Sequence, residues 1–172
     1  MERVAKKRGV YTEALNPYFG YYYTIKKSLR KTSTKYQKME LVDTDEFGKV
    51  LLLDDITQVV EKNHFMYHEP MVHPALCAHP DPQNILVVGG GDGGILGEVL
   101  KYPTVKRVEL AELDEGVIRF SRKYLHFLCK FSQSDEYSSL FRFFSGNCCN
   151  QTIIDLFLFL MLKCSIFWKG ES

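Results

Sequence analysis

The densest chemistry in the chain is a glycine loop with a carboxylate inside it, Gly89-Gly90-Gly91-Asp92-Gly93-Gly94. The loop satisfies G-x-G-x-x-G directly after the apolar run Asn84-Ile85-Leu86-Val87-Val88 and directly before a segment of helical pattern. In that context such a loop lets backbone N–H groups approach a nucleotide or nucleoside; without it, the same residues are a structural glycine turn. Acidic residues follow at Glu112 and Asp114, near the offset of about 20 residues at which a carboxylate receives ribose hydroxyls. Asp92 narrows the ligand. A carboxylate in the loop repels the pyrophosphate that loop amides and a helix N-terminus otherwise attract, so a dinucleotide is disfavoured. The same charge suits a nucleoside with a cationic arm, such as a sulfonium bearing an amine. The plainer alternative is that Asp92 only caps the helix that follows.

These residues need strands and helices to hold them. The β-prone runs 21–26 and 35–42 are followed by the polar turn Asp43-Thr44-Asp45-Glu46-Phe47-Gly48, and the runs 49–53 and 57–61 flank Asp54-Asp55, which together predict a small antiparallel sheet of hairpins. Asn63 is the expected N-cap of a helix reaching Cys77, kinked or interrupted at Pro70 and Pro74. His79-Pro80-Asp81-Pro82 reads as a linker, and residues 84–88 as a short strand buried on both faces. A helix over 95–102 stops at Pro103, a strand over 107–111 ends at Glu112, and a helix covers 115–124. Strand, glycine turn, helix, strand and helix make a βαβ unit and hence a parallel sheet.

Composition sets limits on function. With 22 Lys+Arg against 21 Asp+Glu, the net charge of +1 gives no field that would attract nucleic acid or an anionic membrane. The first twenty residues lack the apolar core of about 7–15 residues that a secretory signal needs, so a cytoplasmic protein is expected. Its five cysteines are then thiols, not a disulfide framework. Four of those five and eight of the twelve phenylalanines fall after residue 125, a discontinuity near Leu125. The apolar run 153–162 is too short for a membrane span of about 20 residues, and reads as a buried or aggregation-prone strand. Cys148-Cys149 lacks zinc spacing.

Several ordered pieces carry a family resemblance: Thr34-Lys35-Tyr36-Gln37, Phe47-Gly48-Lys49-Val50-Leu51-Leu52-Leu53-Asp54, Ile56-Thr57-Gln58, Phe65-Met66-Tyr67-His68-Glu69, the glycine loop and Glu112-Leu113-Asp114. On these the chain resembles the spermidine synthases, the polyamine aminopropyltransferases, over about two thirds of its length. The resemblance implies an α/β architecture: a small N-terminal antiparallel β-hairpin domain at 16–62, then a truncated Rossmann-like, S-adenosylmethionine methyltransferase-like parallel sheet at 63–125. It also implies transfer of an aminopropyl group from decarboxylated S-adenosylmethionine to putrescine or a related amine, releasing methylthioadenosine. No metal and no cofactor beyond that co-substrate are implied. The expected partners are a small polyamine and further copies of the chain joined through the N-terminal region.

By the same resemblance, Gln37, Gly89, Gly91, Asp92, Glu112 and Leu113 would hold the nucleoside and donor, and Tyr67, His68 and Asp92 the amine-bearing parts. Two cations must be brought together, so carboxylates and polar groups are the types the site needs. Alone, Gln37 is equally a strand-surface residue, Tyr67 a core aromatic and His68 a surface histidine. His64, His73, His79 and His126 carry no such role. The chain also departs from the family. Gly97 replaces an arginine, which weakens its helix by about 1 kcal/mol relative to Ala. Asp55 replaces a turn glycine and must tolerate positive φ, and His64 replaces an acidic residue.

Residues 126–172 do not match the family pattern. The D-S/T-x-D-P motif, whose first Asp is the family's base, is absent there. Asp135 and Asp155, the only aspartates of that segment, lack its neighbours. No catalytic residue is identified, and the expected alternatives are a non-catalytic remnant that binds nucleoside or pairs with an intact relative, and a methyltransferase sharing the loop.

Overall fold

The computed structural model describes residues 4–7, 9–128 and 141–145, the first and last of these segments by backbone alone. Six antiparallel strands come first, each paired with the next: β1 (Val4–Lys7), β2 (Val10–Asn16), β3 (Phe19–Ser33), β4 (Lys38–Thr44), β5 (Gly48–Leu53) and β6 (Ile56–Val60). The sheet therefore starts before residue 16, the expected beginning of this unit. β2 escapes a hydrophobic reading because its two inward residues are Tyr11 and Glu13, both buried. β3 runs far beyond the expected 21–26, since its second half is exposed Lys, Ser and Arg held by pairing to β4. Register shifts at Ile25/Lys27 and Ser28/Arg30 interrupt that pairing, and such bulges bend a strand. The bend lets β3 serve β2 with its first half and β4 with its second.

Both faces of the β4–β5 pair are buried. Val42, Val50 and Leu52 pack with Tyr11 and Tyr23 on one side, while Met39, Leu41, Leu51 and Val59 pack with Val117, Phe120, Leu125 and Leu128 on the other. The turn between β5 and β6 puts Asp54 at φ 48° and Asp55 at φ 65°, so both residues are left-handed, as a tight two-residue hairpin turn requires.

α1 (Phe65–Ala78) runs through Pro70 and Pro74 as one helix, so of the expected kink or interruption the interruption does not occur. Val72 and Leu76 anchor it to α2 and β7, and that tertiary packing outweighs the lost helical bonds. Its N-cap is His64 and no side chain caps it; Asn63 takes part only through its carbonyl, which accepts from the Met66 N–H at 3.1 Å.

A parallel sheet follows, in the order β7 (Asn84–Val88), β8 (Arg107–Glu112), β9 (Phe141–Ser145). The β7 strand is not buried on both faces among the described residues. Val87 packs against α1 and α2, but Leu86 and Val88 are each 38% exposed. α2 (Gly94–Val99) is shorter than expected, and residues 100–102 close a tighter turn through i→i+3 bonds. α3 (Glu115–Tyr124) begins at its N-cap, Asp114, whose side chain accepts from the Gly116 N–H. The sheet goes on past Leu125, the expected end of this unit, because β9 pairs with β8. The expected strand at 153–162 lies outside the described residues, as do Cys148 and Cys149.

Candidate functional site

The ends of β7 and β8 place the glycine loop beside Glu112. Gly89 extends the β7 ladder by donating to Ala111 O at 2.9 Å, then Gly89, Gly90 and Gly93 take φ of 74°, 78° and 89°, conformations that only glycine adopts freely. Gly91 is needed for space: a Cβ there would stand 2.8 Å from Glu112 Oε2. That approach brings the Gly91 N–H to Glu112 Oε2 at 2.9 Å, while the Asp114 N–H donates to Oε1 at 3.1 Å. Each carboxylate oxygen keeps a further lone pair for a ligand. Glu112 is thus held in one orientation at the end of its strand.

Asp92 Oδ1 accepts from the Gly94 N–H at 2.7 Å and lies 3.5 Å from His68 Nε2. Its carboxylate steadies the first turn of α2 and also lines the pocket. His68 is 2% exposed and fills the space that a Cβ on Gly94 would need, 2.1 Å from its Cε1. Its other nitrogen, Nδ1, sits 3.3 Å from His64 Nδ1. Burial, and then the neighbouring His68, push the His64 imidazole below its ordinary pKa.

A cavity of about 380 Å³ opens over the loop, its polar wall formed by Gln37, Gln58, Asp92, Glu112 and Asp114. That volume is in the range of small-molecule sites. Leu51, Leu53, Leu113 and Val117 give it an apolar floor. Gln37, Gly91, Asp92, Glu112 and Leu113 therefore come together as expected residues, with Gly89 behind them shaping the turn. Tyr67 and His68 do not line this cavity. Tyr67 is 61% exposed on α1 with its ring edge-on to His68, and His68 lies beneath the loop.

Of the other lining residues, Gln58 was readable only as part of a motif, and Asp114 as an acidic residue near the ribose-binding offset. Asp114 is 3% exposed, and its Oδ2 accepts from the Thr34 hydroxyl at 2.7 Å and from Gln37 Nε2 at 2.9 Å. Thr34 can come this close because Gly116 has no Cβ, which would lie 2.3 Å from Thr34 Cγ2. The available signal was an aspartate immediately before an amphipathic helix; its grip on a loop 77 residues earlier has no local signature.

The Spermidine synthase tetramerisation domain matches residues 9–61, and the Spermine/spermidine synthase domain matches residues 64–161, more than half of the chain. The chain belongs to the spermine/spermidine synthase family. The junction between the two matches falls between β6 and α1, and the second match runs well past Leu125. The polyamine aminopropyltransferase of Bacillus cytotoxicus is 47% identical over 115 residues, covering 67% of this chain and 42% of that protein. That of Thermococcus onnurineus is 48% identical over 108 residues, covering 63% and 38%. Among solved structures, spermidine synthase in complex with the transition state analogue AdoDATO superposes with a TM-score of 0.74 at 30% identity, covering 86% of this chain and 49% of that one. Spermidine synthase from Thermotoga maritima gives the same score and identity over 86% and 51%. The chain thus spans less than half the length of the curated relatives it matches.

Away from the pocket, this family member has one group of residues with metal-ligand chemistry among the described residues. Ligand atoms of Glu69, His73 and Glu98 lie within 4.8 Å of one another. Glu98 is buried and pairs with Lys101 and with His73 Nε2 at 3.1 Å, while His73 Nδ1 meets the Tyr102 hydroxyl at 2.8 Å. The carboxylate charge is already matched by neighbours, and the network fastens α1 to α2. No helix among the described residues is long and apolar enough to cross a membrane.

Proposed function

We propose that this chain forms the donor-binding part of a polyamine aminopropyltransferase, taking decarboxylated S-adenosylmethionine as co-substrate and methylthioadenosine as product ligand. The observation that carries the proposal is the orientation of Glu112. Its carboxylate is fixed by two backbone donors and faces a cavity that Gln37 and Asp92 also line, which suits an acceptor for ribose hydroxyls beside a carboxylate for a cationic arm. A methyltransferase reading loses ground because the match covers the N-terminal β domain as well as the glycine loop.

In this proposal the chain's residues bind and orient the donor; none of the described ones is assigned the proton from the attacking amine. Because residues 126–172 lack the D-S/T-x-D-P motif, a binding protein that assembles with other family members is a second reading. The tetramerisation match supports self-association, and the β2–β3 hairpin exposes Tyr18, Phe19 and Tyr22, aromatic types that interfaces favour. The acceptor is a polyamine such as putrescine. Cys77 is an exposed free thiol, which suits a reducing compartment, and the proposed setting is the cytoplasm.

The test separates the charge of the donor from its nucleoside. Asp92→Asn keeps an oxygen for the Gly94 N–H, so neutral methylthioadenosine should bind it within a few-fold of wild type. Cationic decarboxylated S-adenosylmethionine should lose about tenfold or more. Equal losses for both ligands in calorimetric titration would reduce Asp92 to a helix cap and remove the aminopropyl donor from the proposal.

A further inference from the structure

We propose that Asp114 is a positioning residue that sets the hydrogen-bonding polarity of the pocket: it holds the Gln37 amide with its oxygen, never its NH2, toward the nucleoside. The inference rests on the proposed nucleoside site and adds to it a residue that need not touch the ligand. An ionised carboxylate only accepts hydrogen bonds. Asp114 Oδ1 is taken by the Gly116 N–H at 2.9 Å. Its Oδ2 accepts from the Thr34 hydroxyl at 2.7 Å and from Gln37 Nε2 at 2.9 Å. The amide of Gln37 therefore has no freedom to turn over, because a reversed amide would set its oxygen against the carboxylate.

The loop that carries Gln37 is closed as tightly. The Thr34 N–H donates to Gln37 O at 2.9 Å, and Thr34 Oγ1 accepts from the N–H groups of Tyr36 and Gln37 at 3.1 and 3.3 Å. The Thr34 hydroxyl, with both lone pairs so engaged, can spend its one proton only on Asp114. Donor and acceptor roles follow in sequence from the buried carboxylate to the pocket wall. Gln37 Oε1 ends that sequence without a hydrogen-bond partner among the described residues, in the wall it shares with Glu112. The pocket therefore offers acceptors side by side, and the ligand edge it selects is one of hydrogen-bond donors, the ribose hydroxyls. A nucleoside that presented an acceptor to Gln37 would be rejected, since a buried acceptor facing an acceptor forfeits its bond to water.

The experiment uses the full chain and a conservative swap. In Asp114→Asn, Oδ1 still caps α3 through the Gly116 N–H, while an NH2 replaces Oδ2 and forces the Gln37 amide to turn over. Methylthioadenosine affinity should fall about tenfold or more, and the thermal midpoint should drop as well, because the Thr34 hydroxyl loses its acceptor. Adding Gln37→Glu to Asp114→Asn restores an acceptor on both sides of residue 37, and affinity should return to within about threefold of wild type. A readout independent of any ligand is the exchange of the Gln37 side-chain amide protons by NMR: one is protected in the wild type, and neither in Asp114→Asn. Equal exchange in the two proteins, or a double variant no better than Asp114→Asn, would overturn the inference. A wild type that shows the protected proton yet binds no methylthioadenosine would instead sink the proposed function, while the polarity of Gln37 would stand.

Discussion

Glu13 shows how much polar chemistry this chain buries away from its pocket. The residue is 2% exposed and accepts from the Tyr11 and Tyr21 hydroxyls at 2.7 Å each and from the Thr57 N–H at 3.0 Å. Burial alone would raise its carboxyl, but those three hydrogen bonds outweigh burial and hold it below the usual value of 4.5. Burial, with help from the Glu13 bond, also pushes the Tyr11 hydroxyl far above its ordinary range. A depressed carboxyl contributes stability that is present above the unfolded value and lost as pH falls through the folded one. Glu13→Gln, which keeps the shape and removes the charge, should therefore be about 1–2 kcal/mol less stable at pH 7, with the gap closing below about pH 4. Urea melts of both proteins at neutral and acid pH measure it, and a gap independent of pH would mean that the charge contributes nothing. The glycine loop gives a second residue-scale expectation. Gly94→Ala drives a methyl into the buried His68 ring, an overpacking that should cost about 1–3 kcal/mol or more, read as a lowered thermal midpoint.

Among the elements, the β5–β6 turn is the place where sequence and conformation disagree most. Asp54 and Asp55 both sit at positive φ, where a residue with a Cβ is strained and glycine is not. Asp54 earns its position by accepting from the Lys38 N–H at 2.8 Å. Asp55→Gly should raise stability by about 0.5–1 kcal/mol, and a lower chemical midpoint for that variant would show that the Asp55 side chain matters more than its backbone strain. The expected positive φ at Asp55 followed from the family resemblance, in which a glycine holds that place in the turn. β7, β8 and α3 were legible for another reason: apolar runs ending at glycine, glutamate or an N-cap aspartate mark their own limits, and α3 was expected at its observed bounds, Glu115–Tyr124. β2 and the second half of β3 were not, because their pairing is carried by backbone bonds and a buried carboxylate while charged side chains point outward. The prolines of α1 misled in the other direction. Local propensity argues for a break there, and packing of Val72 and Leu76 decides otherwise.

At the scale of the molecule, one core cluster joins the N-terminal sheet to α3 and the residues that follow it. Phe120, Val117, Leu125 and Leu128 pack on Met39, Leu41, Leu51 and Val59, so the N-terminal strands and the α3 helix stabilise each other and the cavity lies along their seam. Phe120→Ala should cost about 3–5 kcal/mol and weaken nucleoside binding with it, because the wall carrying Gln37 is placed by this contact. The parts of the site within the βαβ unit were readable as a glycine loop and an acidic strand end. The seam was not, since the Thr34–Gln37 loop meets Asp114 only once the chain has folded back across the intervening helices and strands. Tyr67 and His68 were expected by resemblance to hold the amine-bearing parts; helix α1 places both outside the lining of the cavity, with His68 Nε2 3.5 Å from the lining residue Asp92. The 172-residue chain alone should give no measurable aminopropyl transfer, because a positioned base is worth about 10²–10⁴-fold. Robust methylthioadenosine formation from decarboxylated S-adenosylmethionine and putrescine would contradict that expectation. The most direct test of the nucleoside site is calorimetric titration of the full chain with methylthioadenosine, wild type against Glu112→Gln. Saturable one-to-one binding that falls about 10–100-fold in the variant is the predicted result; no binding by the folded wild type, or the same affinity in both proteins, would contradict the account.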